Sequence, residues 1–399
     1  MTTDAKTMNG KICFITNMCT HYSVRLYERL AQMADVEFYF TGGEEPYWEK
    51  GNKARTGNFK GEYLKGFFLL PRLRVTPGLL RILFRKFDVL IKTIDDRFAL
   101  PLTFVCAKLL RRPFIFWVGL WQHPQTLFHK ISFVLTKAIY RNSDAVVVYG
   151  EHIRRYLLTL GVDDKKIFCA PHAVDNDCFN QDVSPEDIMK TRAELGADDE
   201  KILLYVGRLE LCKGLEYLIE AAAGIEPAEA IFVFIGGGSQ RDVLEKACGE
   251  FGVRCKFLDF VPNERLYRYY AAADVFILPS VTTADFKEPW GLVINEAMNQ
   301  GCPIIATDAV GAAAGGLVQD ARNGFIVPEK DSLALRGAIQ KLITNEPLRL
   351  KMSADSRERI KDWTPEHMAR GFLDAVAYVT GKNKAVEEQF QPAASKDQA

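Results

Sequence analysis

Short apolar runs alternate with helical stretches along most of this chain. Lys11 to Asn17 predicts a first strand, and a helix is expected near Val24 to Ala34. Each later strand of the first half is followed by a turn or a helix, an order that is typical of a parallel sheet wound on both faces. These later strands are predicted at 36–41, 89–92, 114–118 and 145–149.

The alternation weakens after residue 175 and resumes near residue 200. Two doubly wound domains in series imply a cleft between them, with ligands at the carboxyl ends of the strands. The six strands predicted for the second half lie at 202–206, 231–235, 255–258, 275–278, 304–307 and 325–327. The expected organisation is a first domain over 1–175, a linker over 176–199, a second domain over 200–362, a helical segment over 363–380 that returns to the first domain, and a disordered tail over 381–399.

Length and composition fit a soluble protein with two domains. The 399 residues are 48% hydrophobic and 26% charged, and no apolar run is long enough to span a bilayer. The polar start, Met1 to Gly10, lacks the apolar core of a signal peptide. We therefore expect a cytoplasmic protein.

The net charge of zero conceals an uneven distribution. Residues 1–180 hold 26 Lys and Arg against 17 Asp and Glu, whereas 181–399 hold 25 against 34. From Lys65 to Lys86, basic residues are interleaved with apolar ones, a mixture that suits the anionic inner face of a cell membrane. Each basic residue near such a surface adds about 1 kcal/mol of attraction. The alternative is that these apolar residues are core, and no nucleic-acid-binding module accompanies the basic patch.

The segment from Glu288 to Glu296 carries the strongest chemical signal. It reads Glu-Pro-Trp-Gly-Leu-Val-Ile-Asn-Glu and follows a strand that ends at Leu278. Glu288 is expected in the loop before a helix that starts near Leu292, and Glu296 one to two turns inside that helix. A helix start carries free N–H groups and a partial positive charge that attract phosphate, while carboxylates accept hydrogen bonds from sugar hydroxyls. The predicted ligand therefore has an anionic part and a polyhydroxyl part.

Two glycine turns follow strands of the second domain. Gly207 is followed by Arg208 and Lys213. The planar guanidinium of Arg208 and the compact ammonium charge of Lys213 both suit the binding of a diphosphate. The run Gly236 to Gly238 ends the next strand, where missing side chains permit close approach of the backbone to a ligand. Each feature alone is compatible with a surface charge or a simple turn.

Together, the ordered motifs of residues 200–330 resemble the glycosyltransferases of family 4, also called group 1. The resemblance implies an α/β protein of the GT-B fold, with two Rossmann-like doubly wound parallel-sheet domains facing a central cleft. It also implies transfer of a hexosyl unit from a UDP- or GDP-linked sugar, with retention of configuration and without a metal or cofactor. The motifs are Gly207-Arg208 with Lys213-Gly214, Gly236 to Gly238, Phe257 to Pro262, Ala273 to Ser280, Glu288 to Glu296 and Asn323 to Pro328.

The resemblance assigns roles to residues of the second domain. Arg208 and Lys213 would hold the donor diphosphate and neutralise the charge on the departing nucleotide. Glu288 would bond to hydroxyls of the transferred sugar, and Glu296 to the ribose of the nucleotide. The remaining donor contacts are expected at Gly207, Gly237, Gly291, Leu292 and Val293, and at the loop of Phe260 and Val261 beside the base.

The first domain departs from the family pattern in the loop after its first strand. That loop lacks the glycines that many members carry, so His21, Tyr22 and Arg25 are candidate acceptor contacts without motif support. Trp121 is a further candidate on the acceptor side because its ring could stack on a sugar face. The expected acceptor is a hydroxyl of a glycan or lipid-linked precursor in cell-envelope polysaccharide or glycolipid assembly.

The catalytic histidine of many family members has no exact counterpart here. It would stand directly after the strand at 114–118, where this chain has Gly119. The nearest histidine is His123, which is the candidate for that role, with capping of the following helix as the alternative.

Three other functions are alternatives to glycosyl transfer. A nicotinamide-linked oxidoreductase is disfavoured because the first strand is followed by no G-x-G-x-x-G fingerprint. A non-catalytic sugar- or lipid-binding protein on the same fold stays open because of the altered first-domain loop. Phosphorolysis would require inorganic phosphate as a reactant.

Overall fold

The computed structural model describes residues 10–42, 57–70, 73–125, 127–226 and 228–382. Their strands form two large parallel sheets, one in each domain, and a separate hairpin. Residues 383–399 of the predicted disordered tail lie outside the described residues. Within the described ranges, no helix has both the length and the apolar character needed to cross a membrane.

Seven parallel strands form the sheet of the first domain. In spatial order they are β3 (Gly61–Tyr63), β2 (Asp35–Phe40), β1 (Lys11–Thr16), β6 (Val89–Thr93), β7 (Phe114–Val118), β8 (Ala145–Val148) and β9 (Ile167–Cys169). Every residue of β7 is buried, which explains its uninterrupted apolar sequence. In β1, Cys13 and Ile15 join one apolar cluster, whereas Ile12 and Phe14 join another. Successive side chains therefore pack into two apolar cores, one on each face of the sheet.

Helices cover both faces of this sheet. The helix α1 packs into the cluster that contains Phe14, while residues of α2, α3, α4 and α5 belong to the cluster that contains Ile15. Between β3 and α2, the strands β4 (Phe67–Leu70) and β5 (Leu73–Val75) form an antiparallel hairpin outside the sheet. These helices are α1 (Val24–Met33), α2 (Gly78–Leu83), α3 (Ala99–Leu109), α4 (Leu127–Asn142) and α5 (Glu151–Thr159).

Six parallel strands and one continuous apolar cluster form the second domain. In spatial order the strands are β12 (Cys255–Leu258), β11 (Ala230–Ile235), β10 (Lys201–Val206), β13 (Val275–Leu278), β14 (Ile304–Thr307) and β15 (Gly324–Val327). The helices are α8 (Leu215–Ala222), α9 (Arg241–Phe251), α10 (Asn263–Ala272), α11 (Leu292–Asn299), α12 (Gly311–Ala314), α13 (Ser332–Thr344) and α14 (Glu346–Ile360).

The segment 176–199, which the sequence predicts as a linker, contains two helices, α6 (Asn176–Phe179) and α7 (Pro185–Leu195). Ser184 caps α7 by accepting a hydrogen bond from the Asp187 backbone N–H at 3.1 Å. Leu195 is buried in the apolar cluster of the second domain. The polar composition of this segment therefore reflects helix caps and an exposed helix face, and the segment is part of the second domain.

The last described helix, α15 (Pro365–Val379), returns to the first domain. The ring of Phe372 lies 5.5 Å from that of Phe14 and 5.1 Å from that of Trp117. Gly371 faces the carbonyl of Cys169, where an added Cβ atom would come within 2.3 Å of the oxygen. The glycine lets the helix approach the sheet closely, and α15 thereby joins the two domains a second time.

We expect Phe372→Ala to weaken folding strongly because it removes a buried ring from the contact between α15 and the first domain. The free energy of unfolding should fall by about 3 kcal/mol or more. Urea unfolding followed by circular dichroism measures the change. The matched control is Phe251→Ala, since Phe251 is 52% exposed and its truncation should change little. Equal effects of the two substitutions would contradict the packing of α15.

Candidate active site

A cleft of about 290 Å³ lies between the two domains. The second domain supplies most of its lining through the loops that follow β10, β11, β12 and β13, at the carboxyl ends of the strands. The first domain contributes His21 and Tyr22. The sequence-predicted residues brought together here are Gly207, Arg208, Lys213, Gly237, Phe260, Val261, Glu288, Gly291, Leu292, Val293 and Glu296, together with His21 and Tyr22.

An ion pair between Lys213 and Glu288 lies in this cleft. Lys213 ends a 3-10 turn after β10, and its Nζ atom donates to Oε2 of Glu288. Ser280 donates its hydroxyl to the same oxygen at 3.2 Å. Within the described residues, the second carboxylate oxygen, Oε1, accepts no hydrogen bond. This oxygen can accept a hydrogen bond from a ligand hydroxyl without breaking a hydrogen bond of the described residues.

Arg208 is the second cation of the cleft and is exposed. Its backbone carbonyl accepts a hydrogen bond from the Tyr205 hydroxyl at 2.7 Å, which fixes the turn after β10. In the part of the chain that the structure describes, its guanidinium forms no ion pair. Arg208 is thus available to an anion, whereas Lys213 is paired with Glu288. An incoming anion can bind both cations after it displaces Glu288 from Lys213.

The glycines of the cleft have two different roles. At Gly236, with φ at +136°, an added Cβ atom would lie 2.1 Å from the carbonyl oxygen of Gly207. Packing of the two strand ends therefore requires Gly236. At Gly237 an added Cβ atom would meet no atom of the described residues within 4 Å. Because Gly237 lines the cleft, its missing side chain leaves space for a ligand.

The N-terminus of α11 forms another part of the wall. Gly291, with φ at +91°, precedes the helix, and within the described ranges no side chain caps the first turn. The first turn of α11 also contains no acidic residue. The backbone N–H groups of Leu292 and Val293 therefore lie at a positive helix end that is suited to bind phosphate oxygens.

Glu296 is buried one turn into α11 and faces the cleft. Its Oε2 atom accepts a hydrogen bond from the Tyr270 hydroxyl at 2.7 Å. Burial raises the pKa of Glu296 to about 7, and the bond from Tyr270 offsets part of this effect. Further hydroxyl donors would lower the pKa again because they stabilise the ionised carboxylate. Glu296 is thus suited to receive a ligand hydroxyl.

The loop that carries Glu288 is held by two side chains of the first domain. The indole Nε1 of Trp121 donates to the carbonyl of Glu288 at 3.0 Å. Nε2 of His152 lies 3.1 Å from the carbonyl of Pro289. Burial lowers the pKa of His152 to about 4, so the ring is neutral at pH 7 and Nε2 must carry the proton that bonds to the carbonyl.

Trp290 anchors the same loop from inside the second domain. Its indole Nε1 donates to Oδ1 of Asn295 at 2.8 Å, and Nδ2 of Asn295 donates to the carbonyl of His172 at 3.0 Å. No sequence motif marks His152, Asn295 or His172 as residues of the site. The one sequence signal was the polar Asn295 inside an otherwise apolar helix start, since such a residue requires a buried partner.

Three predicted site residues do not line the cleft. His123 lies in a separate pocket with Asp96 and Arg97, and its ring packs 4.5 Å from that of Phe133. The expectation that His123 reaches the donor site is therefore not met, because the loop after β7 turns this ring toward α4.

Arg25 and Trp121 have structural partners instead of positions in the cleft wall. Nε of Arg25 forms an ion pair with Asp175 at 2.7 Å. The ring of Trp121 is covered by Nζ of Lys287, which lies 4.0 Å from the ring centroid. Among the described residues, no group of three or more His, Cys, Asp or Glu side chains is placed to hold a metal ion.

Two family models match successive parts of the chain. The model of the glycosyl transferases group 1 matches residues 187–359, and the model of Glycosyltransferase Family 4 matches residues 20–177. These two matches together span most of the chain and meet where the first domain passes into the second.

Curated relatives align with part of the chain. A D-inositol 3-phosphate glycosyltransferase of Xylanimonas cellulosilytica is 33% identical over 256 residues, which are 61% of this chain and 59% of that protein. An alpha-D-kanosaminyltransferase of Streptomyces kanamyceticus is 28% identical over 243 residues, 59% of this chain and 61% of that protein. The chain thus spans about three fifths of the length of these relatives.

Solved structures extend the similarity to nearly the whole chain. The Alr3699/HepE protein of Anabaena, solved in complex with UDP, aligns with a TM-score of 0.68 and 20% identity. The alignment covers 95% of this chain and 99% of that one, which shows the fold and confirms the expected α/β architecture of two facing Rossmann-like domains. With this GT-B fold, and with both family models matched in order along its sequence, the chain belongs to the group 1 glycosyltransferases of family 4.

Proposed function

We propose that this protein is a retaining glycosyltransferase that moves a hexosyl unit from a UDP- or GDP-linked sugar to a hydroxyl of a glycan or lipid-linked acceptor. The proposed context is the assembly of cell-envelope polysaccharide or glycolipid. One observation carries the proposal: two cations, an uncapped helix start and two carboxylates line the same cleft. This set matches the diphosphate, the sugar and the ribose of a nucleotide sugar.

The donor diphosphate would bind to Arg208, Lys213 and the start of α11. Among the described residues Arg208 has no counterion to lose, and Lys213 would exchange the carboxylate of Glu288 for a phosphate oxygen. Glu288, once released, would accept hydrogen bonds from hydroxyls of the sugar. The Anabaena protein of similar fold has been solved with UDP and with UDP-glucose, which supports a nucleotide sugar as the donor.

The proposed chemistry is front-side attack within the bound pair of substrates. The acceptor oxygen forms a bond to the anomeric carbon on the face from which the diphosphate departs, so the configuration is retained. The bond from the anomeric carbon to the phosphate oxygen breaks, and the departing phosphate takes the proton of the acceptor hydroxyl. Arg208 and Lys213 stabilise the negative charge that develops on the diphosphate. This route requires no side-chain nucleophile and no metal.

The Lys213→Ala and Arg208→Ala variants should each lower turnover about 10²- to 10³-fold, because each removes a cation that stabilises the departing diphosphate. Purified protein is incubated with UDP- and GDP-hexoses, with and without glycan acceptors, and nucleotide release is measured. The control is Lys246→Ala, a lysine of the second domain with a 77% exposed side chain.

Thermal unfolding of the same variants separates lost chemistry from lost folding. Near-normal turnover in both cleft variants would refute the assignment of the cations. Absence of nucleotide release by the unaltered protein with every donor would favour the non-catalytic sugar- or lipid-binding alternative.

The Glu296→Gln variant should separate stability from binding. The raised pKa means that the unfolded chain ionises Glu296 near pH 4.5, whereas the folded protein does so only near pH 7. The unliganded protein therefore loses stability between these pH values, by up to about 3 kcal/mol, and does not regain it at higher pH. Glutamine can still accept the bond from Tyr270 but cannot ionise. We expect higher stability of the variant at pH 8 and little change at pH 4.5.

The same variant should bind nucleotide about tenfold more weakly at pH 8, because a neutral amide accepts ribose hydroxyls less strongly than a carboxylate. Urea unfolding and isothermal titration calorimetry provide the two measurements. The control is Glu358→Gln, whose native side chain is 75% exposed. A stability difference that does not depend on pH would contradict the buried carboxyl, and unchanged nucleotide affinity would contradict the ribose contact.

Metal chelation gives a separate test of the role of the cations. If Arg208 and Lys213 neutralise the leaving diphosphate, addition of EDTA should leave the rate unchanged. The comparison is made before and after dialysis against EDTA, with Mg²⁺ and Mn²⁺ added back. Activity that is abolished by EDTA and restored by a divalent ion would show that the cations are insufficient.

A further inference from the structure

The hairpin of β4 and β5 exposes an unusual set of apolar side chains. Phe67, Phe68, Leu69 and Leu70 are consecutive in the sequence, and each is between 48% and 62% exposed. Single exposed apolar residues are common on protein surfaces, but a contiguous group of large ones marks an interaction site. A two-stranded hairpin on its own is also marginally stable in water. Both facts indicate that another phase or molecule contacts this hairpin.

In the part of the chain that the structure describes, both faces of the hairpin remain partly exposed. Phe67 and Phe68 are neighbours in one strand, so their side chains point to opposite faces, yet about half of each is exposed. A flat protein partner would cover one face and leave the other in water. A medium that surrounds the hairpin, such as the interfacial region of a bilayer, would bury both faces.

The charge around the hairpin favours an anionic partner. From Leu64 to Lys86 the sequence contains no Asp or Glu, while Lys65 precedes β4 and Arg74 lies in β5. The guanidinium of Arg74 lies 5.8 Å from the ring of Phe68. Apolar side chains accompanied by cations are the combination that binds anionic lipid, with the apolar groups inserted and the cations at the headgroups.

The segment after the hairpin repeats this combination. Leu80 and Phe84 are 42% and 66% exposed, and Arg81, Arg85 and Lys86 lie beside them in the sequence. Arg85 is already paired with Glu37 at 3.2 Å, so Arg81 and Lys86 supply the remaining charge.

The hairpin leaves the sheet at the edge that faces the cleft. It begins just after β3 ends, and carboxyl ends of parallel strands lie at one edge of a sheet. The Tyr63 hydroxyl at the end of β3 accepts a hydrogen bond from the Cys19 backbone N–H at 3.0 Å, in the loop that continues to His21 and Tyr22. The base of the hairpin is thus joined to the loop that lines the cleft.

We propose that the β4–β5 hairpin inserts into the interfacial region of an anionic lipid bilayer. Insertion would hold the acceptor side of the cleft at the membrane surface. The role in presenting a lipid-linked acceptor depends on the proposed function, whereas binding to lipid does not.

Flotation of the full chain with lipid vesicles tests the proposal. One set of vesicles is phosphatidylcholine, and the other is an equal mixture of phosphatidylcholine and phosphatidylglycerol. The test variant is Phe68→Asp with Leu69→Asp. The matched control is Leu333→Asp with Leu350→Asp, which changes two comparably exposed leucines of the second domain, 74% and 60% exposed, by the same charge.

The native protein should float with the mixed vesicles and bind pure phosphatidylcholine more weakly, and binding should decrease as salt is added. The hairpin variant should bind mixed vesicles about a hundredfold more weakly, because two inserted apolar side chains are lost. The control variant should bind like the native protein. Circular dichroism and donor hydrolysis without vesicles verify that the hairpin variant is folded.

Three results would overturn the proposal. The first is equal vesicle binding by the native protein and the hairpin variant, and the second is no vesicle binding by the native protein. The third is a dimer in sedimentation velocity that the hairpin substitutions dissociate, with no vesicle binding, since a second copy would then occupy the hairpin. Vesicle binding without donor turnover would refute glycosyl transfer and leave the membrane contact intact.

Discussion

The loop from Glu288 to Gly291 is the constraint on which the site depends, because both domains hold its backbone. Trp121 and His152 of the first domain bond to the carbonyls of Glu288 and Pro289, and the Ala312 backbone N–H of the second domain bonds to the carbonyl of Trp290 at 2.8 Å. With its carbonyls bonded in this way, the loop fixes the Glu288 carboxylate and the start of α11 together. A change in the domain interface would therefore move the donor-binding groups.

Much of the second domain could be predicted because its signals are local. Strands buried on both faces, such as β13 and β14, appear as short apolar runs and have the predicted bounds. The partly buried edge strand β12 also has its predicted bounds. The loops that follow parallel strands must lie at one edge of the sheet, so turns distant in sequence, such as those at Gly207 and Gly291, were expected to line one cleft. The structure places both there.

The features that could not be predicted from the sequence depend on tertiary contacts. The burial of Phe179 and Leu195 makes 176–199 part of a domain core, although its polar composition predicts a linker. His123 is near the expected position in sequence, but the loop direction after β7 places it in another pocket. His152 carries no motif, because its role is a single bond to the carbonyl of Pro289. Such roles are set by tertiary geometry and not by local pattern.

We propose that Lys213 exchanges Glu288 for the β-phosphate of a nucleotide, and calorimetry of nucleotide binding measures this exchange. The native protein should bind the diphosphate of its preferred nucleoside, uridine or guanosine, about tenfold or more tightly than the monophosphate. In Lys213→Ala this preference should disappear, while binding of the monophosphate should change little. Equal affinity of the native protein for the two nucleotides, or an undiminished preference in the variant, would show that Lys213 does not hold the β-phosphate.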